Sequence, residues 1–193
     1  MNKTMLAGMF VLGLAVPALV AAQETTRPHK APEMADSKSS TGDSAWVTKA
    51  AQGGIAEVEL GRLATAKAAS DEVKKFGQRM VDDHSKANDE LKTLAQNKTI
   101  TLPAEIDAKH KAEHDRLAKL SGGAFDRAYM QAMVAGHREV ANLFRTESMS
   151  GKDPDVKAWA AKTLPTVEEH LKMAQETSKA LGSTTSPTRS SKQ

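Results

Sequence analysis

From Ser44 to Gly182 apolar residues recur at helical spacing, and nowhere does the chain alternate apolar with polar positions or set a hairpin dipeptide between β-branched runs. Helix-breaking and capping residues divide this stretch into five segments. The first is expected from Ala45, capped by Ser44, to Ala69. The second opens at Ser70 with Asp71 and Glu72 in its first turn, where the helix dipole favours acids, and runs to Gln96. A short third helix is expected from Pro103 to Leu120, because proline suits a first turn, before Gly122-Gly123 breaks the chain. The fourth takes Phe125 to Met149 and stops at Gly151. The fifth starts with Asp153 as cap and Pro154 in its first position, ends at Gly182, and should be kinked at Pro165. In the second helix Val73, Phe76, Met80, Ala87, Leu91 and Leu94 share one stripe. Tyr129, Met133, Val140 and Phe144 do so in the fourth. The expected fold is all-α, a four-helix bundle with a short crossover helix.

The ends of the chain lack this pattern. Residues 1–22 read as a secretory signal peptide: Lys3 gives the positive start, Met5 to Val20 is apolar, and Val20-Ala21-Ala22 is a small-x-small cleavage site. The apolar run falls short of the roughly 20 residues of a membrane span, so no transmembrane helix is expected after cleavage. Residues 23–43 and 183–193 are polar, with prolines, and have the composition of a disordered linker and tail. The folded unit is then 44–182, and its expected destination is the periplasm or the exterior, with envelope association open.

Composition narrows the chemistry. With no cysteine, disulfides, Cys-ligated zinc, iron–sulfur clusters, thiol nucleophiles and lipoprotein anchors are excluded. The net charge of +3 is dispersed and aromatics are 4% of residues, so neither a phosphate-tracking stripe nor a base-stacking platform exists, and nucleic acid is not an expected partner. No P-loop, dinucleotide fingerprint or nucleophile elbow occurs.

Three histidines stand out. His84 lies on the apolar stripe of the second helix, His137 on that of the fourth and His170 on the fifth, three residues after Val167. If the third segment returns the chain along the bundle, the long helices run up, down, down and up. His84 then lies about 13 residues below Asp71, His137 about 13 below Ala124 and His170 about 11 from Leu181, depths that agree to within ~3 Å. With Ile55 as the centre of the first helix's apolar face, Glu59 falls about 40° away and Glu57 about 160°. Glu59 is thus the expected inward acid, although roughly 6 Å higher.

Met80, Met133 and Met173 lie one turn from the histidines, on one side of their layer. Imidazole suits copper, zinc and iron, and thioether sulfur adds a bias towards Cu(I). Asp83, beside His84, could orient a ring from outside the ligand set. The expected centre is one transition-metal ion (Cu, Zn or Fe) on His84, His137, His170 and Glu59, with support from Asp83 and the methionines. The bland alternative makes these histidines satisfied core groups of a structural or envelope-stress protein that acts through a protein partner. His110 and His114, spaced i, i+4, lack the His-Glu-x-x-His order and read as a solvated face.

Four stretches, Ala50 to Ala64, Val73 to His84, Ser121 to His137 and Val156 to Ala174, with Asp-His, Phe-Asp-x-x-Tyr and Leu-Pro-x-x-x-x-His signatures, resemble the secreted bacterial family catalogued as domain of unknown function 4142. The resemblance implies an exported, ferritin-like bundle with no established reaction, often labelled a predicted outer membrane protein. The family often carries an acid before the fourth helix's histidine, where this chain has Gly136. Ferritin-type di-iron sites use Glu-x-x-His pairs, yet Val81, Val134 and Val167 stand three residues before the histidines here. Binding or buffering is therefore expected rather than turnover.

Overall fold

The computed structural model describes residues 40–183; the expected signal sequence, nearly all of the linker and the tail beyond Ser183 lie outside the described residues. Five helices, and no strand among the described residues, make up the unit: α1 (Thr41–Lys67), α2 (Asp71–Asn97), α3 (Ala108–Ala118), α4 (Gly122–Ser150) and α5 (Pro154–Ser183). Helices α1 and α2 form one antiparallel hairpin, and α4 and α5 the other.

Buried carboxylates fix how the hairpins meet. Asp126, in the first turns of α4, accepts the backbone N–H groups of Ala69 and Ser70 at 3.0 and 2.9 Å, which places the start of α4 against the α1–α2 turn. At the other end Asp43 accepts from Lys152 N at 3.1 Å and Asp153 N at 2.9 Å, tying the start of α1 to the α4–α5 turn. Lys98, at the end of α2, bridges Asp153 and Asp155 at 2.9 and 2.6 Å. With the α1–α2 turn as the top, α1 runs up, α2 and α4 down and α5 up. The short α3 carries the chain back to the top and buries Leu117 in the upper core.

Local chemistry moves three boundaries. Helix α1 begins at Thr41 rather than Ala45, because Ser40 caps it by accepting from Asp43 N at 3.2 Å and Asp43 is needed at the α4–α5 turn. Helix α3 begins at Ala108 instead of Pro103, because Asp107 caps it, its side chain accepting from His110 N at 2.9 Å. The glycine pair opens α4 rather than preceding it, Gly122 taking φ +58° as the chain turns into the helix. Helix α5 is continuous, with Pro165 inside it.

Two apolar clusters fill the bundle. The upper one includes Phe76, Met80, Phe125, Tyr129, Met130 and Met133. The lower one is built on Trp46, Phe144 and Trp159, whose rings meet at centroid distances of 4.9 to 5.9 Å, with Val47, Leu91 and Val156 around them. Near the upper end of the α1–α2 hairpin the helices cross on glycine: a Cβ on Gly61 would stand 2.6 Å from Gly77 O, and one on Gly77 2.7 Å from the Ala64 Cβ.

Helix α2 ends in a Schellman turn. Ile100 N bonds Ala95 O at 2.9 Å and Thr99 N bonds Gln96 O at 3.2 Å, and the residue forced left-handed is Thr99, at φ 57°. A β-branched residue there costs on the order of 1 kcal/mol relative to glycine. Thr99→Gly is therefore expected to raise the unfolding free energy by about 1 kcal/mol in urea titration, whereas a loss would show that the threonine side chain has a stabilising contact of its own.

Candidate metal centre

Between the two apolar clusters the bundle has a polar waist. His84 on α2, His137 on α4 and His170 on α5 point into it, with ring centroids 5.8, 5.3 and 5.5 Å apart, close to an equilateral triangle. One ring nitrogen from each lies within 4.8 Å of the others. His137 and His170 are each 1% exposed, and His84 is half-buried.

The outer nitrogens of two rings are already committed. His137 Nδ1–H donates to Met133 O at 3.0 Å, and because a carbonyl can only accept, the lone pair of the neutral ring sits on Nε2. His170 Nε2–H donates to Asp83 Oδ2 at 2.9 Å, leaving the lone pair on Nδ1. His137 Nε2, His170 Nδ1 and His84 Nε2 are buried without a hydrogen-bond partner. A backbone carbonyl or carboxylate holding the far N–H of a ring whose other nitrogen is free is how proteins aim imidazole at a metal. Metal–nitrogen bonds of about 2.0–2.1 Å would bring the nitrogens about 3.4 Å apart, so separations of up to 4.8 Å need to close by at most about 1.4 Å.

Burial keeps the rings of His84 and His170 neutral. Burial lowers His84 to about 4, against the pull of the Glu57 carboxylate and with help from the neighbouring rings. Burial also lowers His170 to about 4, although Asp83 opposes it. At Asp83 burial works upward, but hydrogen bonds from Arg79 and His170 outweigh it and hold the carboxyl below its ordinary range. Arg79 pairs with Asp83 and lies 3.6 Å from Glu169, which straps α2 to α5 beside the waist.

The other expected residues fall elsewhere. Asp83 supports His170 on the neighbouring helix rather than its chain neighbour His84. Met80 and Met133 are buried in the upper cluster and Met173 packs against it, on the side of the histidine layer that the sequence implies. Glu59 lines a shallow groove between α1 and α2 with Arg62, Ser85, Asn88 and Asp89, away from the three rings. The acid at the waist is Glu57: its Oε1 lies 3.8 Å from His137 Nδ1, its Oε2 is buried without a hydrogen-bond partner, and its side chain is 12% exposed.

Ile55 does not lie at the centre of α1's inner face, so the acid on that face is Glu57 and not Glu59. At 100° per residue Glu57 lies within about 60° of Ala50, Gly54, Leu60, Gly61 and Ala64, all buried, whereas Glu59 lies about 140–160° from Gly54, Gly61 and Ala64. Ile55 instead lines an outer groove of about 470 Å³ with Leu91, Ile100 and Leu102. Alanine and glycine mark the buried side only weakly in the sequence, and the larger isoleucine on the other side outweighs them. His110 and His114 pair with Asp107 and Asp115, at 3.0 and 3.3 Å, and take no part.

The model of a domain of unknown function, DUF4142, matches residues 28–177. The chain belongs to that family. No curated protein matches it. Among solved structures, a DUF305 fragment from Deinococcus radiodurans is similar in fold, with a TM-score of 0.65 over 76% of this chain and 99% of that one, at 12% identity. In this DUF4142 chain Gly136, just before His137, faces α1: a Cβ there would stand 3.9 Å from Glu57 Oε1.

Proposed function

We propose that this DUF4142 protein is exported to the periplasm and binds one transition-metal ion through His84, His137 and His170, as a binding or buffering protein rather than a catalyst. The observation that carries the reading is the set of three inward ring nitrogens without partners in one buried layer, two of them belonging to rings whose other nitrogen is held by Met133 O and Asp83. Buried polar atoms are nearly always satisfied, and a waist without an ion would leave three of them unpaired at a cost of about 1–3 kcal/mol each. An ion accepting all three lone pairs removes that cost. Export rests on the signal-like pattern of residues 1–22. Copper, zinc and iron all accept imidazole.

The test is the metal content, by plasma mass spectrometry, of untagged mature protein purified from the periplasm, beside His84→Ala and His137→Ala. Near-stoichiometric metal that falls at least tenfold in both variants is expected. Equal metal in wild type and variants, or wild type that also fails to take up added copper, zinc or iron, would leave a structural bundle whose partner is a protein.

A further inference from the structure

We propose that Glu57 is the charge-balancing side chain of the histidine centre and makes it prefer a divalent ion to a monovalent one. This rests on the histidine reading and adds the class of ion. Glu57 reaches the waist from α1, the one long helix that contributes no imidazole, so the four long helices supply three imidazoles and one acidic side chain. Among the described residues no lysine or arginine pairs with it. The ionisable group paired with it is His137 Nδ1, which at 3.8 Å is beyond hydrogen-bond length and already donates to Met133 O.

Oε2 is buried without a hydrogen-bond partner, and the Tyr129 hydroxyl, also buried and unpartnered, feels the same negative charge. A buried carboxylate is costly unless a cation stands near.

An ion bound by the three rings supplies the missing positive charge. The carboxylate's attraction scales with the charge of that ion, so it contributes twice as much to a divalent ion as to a monovalent one at the same place. Oxygen donors and borderline divalent ions also match better than oxygen donors and soft Cu(I). The three imidazoles alone, with methionines one turn away, suit Cu(I) as well as Zn(II). Glu57 breaks that tie.

The experiment measures Zn(II) and Cu(I) dissociation constants of the apo full-length mature protein by chelator competition, for wild type, Glu57→Gln and His137→Ala. Glutamine keeps the shape and removes the charge. Zinc affinity is expected to fall about 10–100-fold in Glu57→Gln, the range for losing a group that supports metal ligands from outside, while Cu(I) affinity changes less than about threefold. Should Glu57→Gln not fold, by circular dichroism and thermal melting, Glu57→Met makes the same comparison with an apolar side chain of similar length. Unchanged zinc affinity, or equal losses for both ions, overturns the role of Glu57 while leaving the histidine centre standing. Metal binding that survives His137→Ala removes the histidine centre itself, and the proposal with it.

Discussion

Asp126→Ala is expected to lower the unfolding free energy by about 3–5 kcal/mol, the largest single-residue effect outside the waist. The 2%-exposed carboxylate accepts Ala69 N on one oxygen and Ser70 N on the other. Alanine would orphan two backbone donors at a buried turn, at about 1–3 kcal/mol each, and leave the space of the lost carboxylate behind. Those bonds also hold the top of the α1–α2 hairpin against the start of α4, so the loss falls on the joint between the two hairpins.

Asp126→Asn separates the causes. An amide accepts with its oxygen but presents N–H to the second donor, so it should cost about half as much. Urea titration of the metal-free protein at pH 7 measures both. A cost below about 1 kcal/mol for alanine would mean that this tie does not stabilise the fold.

Acid should unfold the metal-free protein through its own histidines. In the unfolded chain His84 and His170 take up protons near 6.5, and in the native bundle near 4. Between those values the unfolded state binds more protons, so stability is fully present above about 6.5, is lost as pH falls, and levels off below about 4. Each ring accounts for at most about 3 kcal/mol.

Glu147 acts with the opposite sign. Burial, a hydrogen bond to Asp43 and the charges of Asp43 and Asp153 raise it from 4.5 to about 7, so the native state is the one that binds the proton, and stability falls as pH rises from about 4.5 to 7. Wild-type stability should therefore be a shallow dome near pH 6, steep on the acid side. Glu147→Gln should be more stable than wild type at pH 8 by up to about 3 kcal/mol and indistinguishable from it near pH 4.5. Guanidinium titrations from pH 4 to 8 decide this, and a flat acid limb would show that the histidines are not buried as neutral groups.

How much of the site could be read from the chain varied with the helix. On α2 and α4 strong apolar stripes mark the inner face, and His84 and His137 lie on them as imidazoles among Phe76, Met80 and Met133. Asp126 and Asp43 gave no such signal, because their bonds run to backbone groups 56 to 110 residues away and depend on how the hairpins meet. Asp83 is similar. Its bond to His170 crosses from α2 to α5, and the sequence shows only its adjacency to His84.

The sequence by itself determined five helices, their order, the crossover and a shared depth for three histidines, because helical period and capping act within a few residues and 1.5 Å per residue converts spacing to height. Tertiary structure alone decided which acid faces them. Helix α1 packs against α2, α3 and α4, and its buried side is lined largely by alanine and glycine, so no strong apolar stripe marks that side in the sequence. Glu57 and Glu59 differ by about 200° around that helix. The approach of the neighbouring helices is what turns one of them to the histidines and leaves the other in the shallow groove between α1 and α2.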